Sequence, residues 1–341
     1  MAESADAEAS KAFTRKGVWV QLPLRARGNF FEVTDQSTLP FRDDLVALFP
    51  GQGSLSSGAG LAWRDSTHWS LVQHIGEVSG LDVETLLTTA SDDEVVRTDR
   101  AQIATFALSL LCYHELVDLG VRPRYLLGHS LGEFSALVAS GLLGVDDGTR
   151  VIAVRGAAMA RAAESQSGSM VALMGGEEGA REALDTLDHV WVANINGTGQ
   201  IVVSGTDEGL ADLLARHREL GWRRATPLAV GGAFHSPLMA PAQDELDRAL
   251  ADVTWGSTDA TLIANVDGHV HTSADEWRAL LSRQLTSPVE FLDATLALPD
   301  TVTASVEMAP SGTLSGLTKR IRTFEHQFAP ASLLDLKELT P

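Results

Sequence analysis

The chain has 341 residues, with 26 lysines and arginines against 45 aspartates and glutamates, a formal net charge of −19. That balance argues against a nucleic-acid partner, which needs clustered cations, and requires any anionic substrate or acidic carrier to be met by a local basic patch. A hydrophobic content of 44% with 21% charged residues excludes a disordered chain, and the single cysteine, Cys112, excludes an internal disulfide and a cysteine-based zinc site.

No apolar run approaches the roughly 20 residues of a membrane helix. The N-terminus, Met1-Ala2-Glu3-Ser4-Ala5-Asp6, lacks the basic and apolar regions of a signal peptide, so a cytoplasmic protein is expected. Residues 1–44 read as an N-terminal extension, with a short edge strand over residues 17–24 interrupted by Pro23. Regular structure is expected from Leu45-Val46-Ala47-Leu48-Phe49, a buried strand ending in the glycine loop Pro50-Gly51-Gln52-Gly53. A helix over residues 101–119 carries Ile103, Phe106, Ala107, Leu110 and Val117 on one face, with Cys112 as a packed core thiol. Pro123 stops the chain before the strand 125–127, and a further helix is expected over about 148–164, carrying Arg155. Strand and helix alternating at this spacing imply a parallel α/β sheet covered on both faces.

From Ser169 the rhythm changes to a strand over 170–174, a helix over 177–187, strands over 190–194 and 200–204, a helix over 207–220 and a strand over 224–230. This βαββαβ block is the ferredoxin-like pattern, read as a small subdomain inserted at about 169–229. The chain then returns through Gly231-Gly232-Ala233-Phe234-His235-Ser236-Pro237. Pro241 fits a first helical turn, and 261–266 reads as a strand. Ser273 with Glu276 forms a capping box, Pro288 starts a helix, 302–308 is a late strand, and Pro310-Ser311-Gly312 leads into 314–321. Residues 326–341 are left as a C-terminal tail.

The chemistry centres on Gly128-His129-Ser130-Leu131-Gly132, where an apolar strand passes into a helix expected over 131–141. Gly-X-Ser-X-Gly also occurs in ordinary loops, but strand before and helix after is the context of a nucleophile elbow, so Ser130 is taken as the nucleophile. The turn would bring its Oγ near the first free N–H groups of the following helix, which favour a developing oxyanion. A serine nucleophile needs a base. His129 adjoins Ser130, but neighbours across a tight turn point apart. His68, His74, His189, His217 and His326 sit in polar contexts that read as solvated surface, and His269 with His271 is weak evidence for metal. His235 lies in a glycine-lined loop at a strand end, either as the base or as a structural loop histidine.

Five motifs then occur in order: Phe49-Pro50-Gly51-Gln52-Gly53, Gly128-His129-Ser130-Leu131-Gly132-Glu133, Arg155-Gly156, Gly232-Ala233-Phe234-His235-Ser236-Pro237-Leu238-Met239 and Gln284-Leu285-Thr286-Ser287-Pro288-Val289. With Gly316-Leu317-Thr318-Lys319-Arg320-Ile321 as a C-terminal signature, residues 45–325 resemble the malonyl-CoA:acyl-carrier-protein transacylases and polyketide synthase acyltransferases. The resemblance implies an α/β-hydrolase-like large domain over 45–168 and 230–325 with the ferredoxin-like insert at 169–229. It implies malonyl transfer from malonyl-CoA to the phosphopantetheine thiol of an acyl carrier protein, in polyketide or fatty-acid biosynthesis, without metal or other cofactor. Ser130 would become the acyl-enzyme and His235 the base, and the Gln52 and Leu131 N–H groups would form the oxyanion hole. Gln284 would orient His235 through its backbone carbonyl, a dyad being preferred to a triad.

Arg155, by itself a surface helix arginine, would pair with the malonate carboxylate, and Phe234 would favour malonyl over methylmalonyl groups. The sequence departs from the family in Gly53-Ser54-Leu55-Ser56-Ser57, where Gly-Gln-Gly-Ser-Gln is common, and in the extension. An editing hydrolase or a transferase of another acyl group would use the same dyad, and a non-enzymatic docking module would leave it unexplained. For an acidic carrier protein, Arg223, Arg224, Lys319, Arg320 and Arg322 are candidate docking cations, or else a solvated face.

Overall fold

The computed structural model describes residues 39–338 and the backbone of two short strands before them, β1 (Ala12–Phe13) and β2 (Trp19–Val20). These two pair antiparallel, Ala12 opposite Val20, and the rest of the strand expected at 17–24 lies outside the described residues. In the unit that follows, β3 (Phe41–Phe49) and β4 (Arg122–Gly128) start a parallel sheet. The chain leaves it for β5 (Ser169–Met174), β6 (Val190–Gly197), β7 (Gln200–Gly205) and β8 (Arg224–Pro227), then returns with β9 (Thr261–Leu262), β10 (Ala304–Glu307) and β11 (His326–Phe328).

The large sheet has the order β11-β10-β3-β4-β9, parallel throughout. Its central strand is β3, whose apolar residues 45–49 are buried as a sheet covered on both faces demands. The helix Thr98–Asp118 is buried on every side from Ala101 to Val117, so it is a core helix and not the one-faced helix expected. Among its buried polar residues, Ser109 Oγ donates to the Ala309 carbonyl at 2.8 Å. Cys112 is buried, and its thiol is pushed up to about 12 by desolvation. No described helix is long and apolar enough to cross a membrane.

The small sheet, β6-β7-β5-β8, is antiparallel and has the ferredoxin-like strand order. Leu173, Val203, Leu213 and Trp222 fill its core. A seam joins it to the large domain: Ile195 N–H donates to the Val289 carbonyl and Val289 N–H to the Ala193 carbonyl, both at 2.9 Å.

Several expected elements differ. In place of a helix over 177–187 there are turns and a 3-10 helix, Glu182–Thr186, because Gly179 turns at φ +79°. The helix expected from Pro288 begins at Phe291, since Val289 is drawn into the seam. The strand expected over 224–230 stops at Pro227, which has no N–H to donate, and that over 261–266 pairs only through Leu262 before Asn265 turns toward the elbow. The large sheet also extends past the expected limits of 45 and 325. The polar start of β3 is held by Arg124 Nε donating to Asp43 Oδ1 at 2.7 Å and by Arg122 and Arg124 stacked on Phe41. At the other end, β11 pairs with β10 and Leu336 is fully buried. The capping box at Ser273 and Glu276 and the proline in the first turn of Ala240–Ala251 are present as expected.

Arg322 is a clamp within this fold. Its guanidinium donates to the carbonyls of Leu298, Pro299 and Val302 at 2.7, 3.0 and 3.1 Å. Arg322→Met leaves three carbonyls short of a donor and is expected to cost about 1–2 kcal/mol, read as a lowered Tm in thermal unfolding.

Candidate active site

The elbow is built by close packing. His129 N–H donates to the Phe49 carbonyl at 3.0 Å, tying the turn to the end of β3. A Cβ on Gly132 would collide with that carbonyl, and one on Gly128 would collide with the Gly132 backbone. Glycine at both places lets the chain double back, and Ser130 between them is left at φ 53°, ψ −109°. Only three described non-glycine residues have positive φ, and Ser130 and His235 are two of them. Such backbone costs about 1–3 kcal/mol per residue and persists only where the surroundings enforce it. Ser130 N–H donates to Asn265 Oδ1 at 2.6 Å while Asn265 Nδ2 donates to the Gly128 carbonyl at 2.7 Å, so one side chain pins the turn on both sides.

The structure brings His235 to Ser130, with Nε2 2.8 Å from Oγ. The other ring nitrogen, Nδ1, is 2.8 Å from the Gln284 backbone carbonyl, which only accepts, so the proton sits on Nδ1 and Nε2 is free to accept from Ser130. Burial, reinforced by the Arg155 charge, pushes the His235 imidazole down to about 3, which keeps it neutral. His129 points away, its Nε2 2.9 Å from Asn196 Oδ1 in β6.

Arg155, on the helix Val145–Ser165, is fully buried instead of lying on the surface. Its hydrogen bonds go to neutral groups: Gln102 Oε1 at 2.7 Å, Gln284 Oε1 at 2.8 Å and Ser130 Oγ at 3.1 Å. Nε has no partner, and the Phe134 ring lies 5.3 Å away. Burial pushes the guanidinium down to about 9, opposed by Glu133, so it is still charged at neutral pH. A buried cation held by dipoles alone is costly, and an anion reaching it would relieve that cost.

Sequence reasoning missed three residues here. Gln102 stands out in the sequence as an amide inside an apolar helix. Glu133 is three residues after Ser130, and Asn265 follows an apolar strand; neither position announces its contact.

Ser130, His235 and Phe234 line a cavity of ≈260 Å³, together with Gln52 and Met159. Gln52 starts a 3-10 helix, Gln52–Ser54, and Leu131 opens the helix Leu131–Ala139. No backbone carbonyl among the described residues accepts from either N–H, leaving both available as donors. A second hollow of ≈410 Å³ reaches His235 from the side of Arg181, Trp191 and Pro237. A third, ≈380 Å³, lies beside Arg322 and holds neither Ser130 nor His235. Arg223, Arg224, Lys319 and Arg320 are exposed, and Arg320 donates to Gln200 Oε1 at the start of β7. His68, His74 and His271 each meet a carboxylate, and no described group of three His, Cys, Asp or Glu residues could hold a metal.

The acyl transferase domain family matches residues 46–335. The chain is 34% identical over 285 residues to the malonyl CoA-acyl carrier protein transacylase of Bacillus subtilis (strain 168), spanning 81% of this chain and 90% of that protein. The crystal structure of MCAT from Mycobacterium tuberculosis is 37% identical, with a TM-score of 0.82 over 87% of this chain and 99% of that one. A malonyl-transacylase solved in complex with its type II PKS acyl-carrier protein is 29% identical, with a TM-score of 0.82 over 87% and 99%.

The depressed His235 has a measurable signature. Its imidazole nitrogens should report the neutral, Nδ1–H form by NMR down to pH 5, where an ordinary histidine is mostly protonated. Because the unfolded chain takes up this proton below about pH 6.5 and the fold refuses it, this residue's contribution to stability falls as pH drops through that value.

Proposed function

The chain belongs to the acyl transferase domain family, and we propose that it moves a malonyl group from malonyl-CoA to the phosphopantetheine thiol of an acyl carrier protein through an acyl-serine intermediate. The observation that carries the malonyl assignment is the buried, charged Arg155 with no carboxylate among its hydrogen-bond partners, 3.1 Å from Ser130 Oγ.

In the first half-reaction His235 Nε2 takes the Ser130 proton as Oγ attacks the thioester carbonyl carbon. The carbonyl oxygen becomes an oxyanion met by the Gln52 and Leu131 N–H groups. The carbon–sulfur bond breaks, and His235 returns the proton to the departing CoA thiolate. In the second half-reaction the carrier thiol gives its proton to His235 and attacks the acyl-serine, and Ser130 regains the proton as it leaves. The Gln284 carbonyl keeps Nδ1–H in place throughout. Arg155 holds the free carboxylate of the malonyl group and so orients its thioester end on Ser130. Phe234, on the cavity wall, restricts branching at the adjacent carbon. The cycle moves one acyl group and one proton, so Ser130, His235 and the two N–H donors suffice without a metal or redox cofactor. The free, buried Cys112 suits a reducing cytoplasmic setting.

Intact-mass measurement of the acyl-enzyme tests the reading. Ser130→Ala should form no adduct from malonyl-CoA, and Arg155→Ala should lose malonyl loading by about a hundredfold or more while acetyl loading falls far less. Equal losses for the two acyl groups would remove Arg155 from recognition. Release of free malonate faster than carrier loading would make the protein a hydrolase.

The carrier would dock on Arg223, Arg224, Lys319 and Arg320, exposed cations in a chain of net charge −19. Lys319→Glu with Arg320→Glu should raise KM for the carrier several-fold and leave malonyl-CoA loading unchanged. Arg322, spent on three carbonyls, is left out of that surface.

A further inference from the structure

Glu133 is used by no step above, yet it is almost completely buried one helical turn after the nucleophile. Burial pushes the Glu133 carboxyl up to about 7, while the two donors that face it favour the ionised form, in which both oxygens only accept. Oε1 takes the Asn265 backbone N–H at 2.6 Å, and Oε2 takes the Gln284 Nε2. This commits the Gln284 amide. Nε2 faces Glu133 and the Ser130 carbonyl, 3.0 Å away, so Oε1 must face the other way, where it accepts from Arg155 Nη2 at 2.8 Å. The carboxylate is therefore held one residue away from the guanidinium. A direct Glu–Arg fork would occupy the donors and quench the charge. The intervening neutral amide passes on direction and keeps the charge open.

We propose that Glu133 is a positioning residue for acyl selectivity: through the Gln284 amide it aims the Arg155 guanidinium without neutralising it. The inference rests on Arg155 being the carboxylate clamp of the proposed reaction. Asn265, held by the other oxygen of Glu133, pins Ser130 N–H, so the same carboxylate keeps clamp and nucleophile in one frame.

Glu133→Gln is nearly isosteric and has one acceptor oxygen where the site presents two donors. Whichever way its amide turns, an N–H meets an N–H, and the available relief is a flip of the Gln284 amide that turns its NH2 toward Arg155. The test is acyl-Ser130 formation from malonyl-CoA and from acetyl-CoA, read by intact mass on protein shown to be folded by circular dichroism. The malonyl-to-acetyl ratio should fall about tenfold or more relative to wild type. Equal loss of both would make Glu133 merely structural and overturn the proposal.

Should the single variant not fold, the exchange Glu133→Gln with Gln284→Glu restores a donor–acceptor match between residues 133 and 284 and sets a carboxylate directly on Arg155. That variant should fold, as shown by circular dichroism, yet still have lost malonyl preference. Preference retained in the exchange variant would also overturn the proposal. Wild-type protein that loads acetyl as fast as malonyl would instead sink the reading of Arg155 itself, independently of Glu133.

Discussion

A guanidinium buried without a carboxylate beside it is the interaction on which the rest of this site turns. Removing a cation from water costs several kcal/mol even after relaxation, and here the offset comes from two amide oxygens and a serine hydroxyl. Those dipoles stabilise the charge without cancelling it. The remaining field reaches His235, where it adds to desolvation in keeping the imidazole neutral. A base held neutral by its surroundings is ready to accept the serine proton, although a depressed affinity for protons makes it a weak base until charge develops beside it. In the proposed reaction an arriving malonyl carboxylate would cancel the field of Arg155 and so strengthen His235 as the base.

The elbow supplies the complementary constraint. Gly132 must lie against the Phe49 carbonyl for the end of β3 and the start of the helix at Leu131 to meet as closely as they do. The backbone strain at Ser130 and at His235 is held by partners far away in sequence, Asn265 and the Gln284 carbonyl. Rigidity here is distributed: Ser130 and His235 are held by partners that come from separate strand ends and helices.

Much of this was legible in the sequence because the signals are local. Glycines at fixed offsets mark the elbow, a serine three residues before a glutamate marks a helix start, and a change of rhythm at Ser169 marks the insert. The losses have a common cause. The segment from Glu177 to Leu187 has helical composition, but Gly179 and its turn override propensity. Pro288 looks like a helix start until β6 offers Val289 a strand partner almost a hundred residues away. Arg155 reads as a surface residue on helical spacing alone, since its partners come from Gln102, Ser130 and Gln284, on different elements. The edge strand His326–Phe328 carries no apolar run, and only its neighbour β10 makes it a strand. Glu133 was visible as a letter in a motif, while its work is set by two donors more than 130 residues further on.

The seam between β6 and Val289 has a consequence for how this molecule tolerates different acyl groups. The cleft's two walls share backbone hydrogen bonds, and Glu290 N–H continues the link to the Asn265 carbonyl at 2.7 Å. Opening the cleft as a hinge would unzip that shared ladder, so the slot has a fixed gauge. The room inside it is then set by the side chains that face it, Phe234 and Met159 among them.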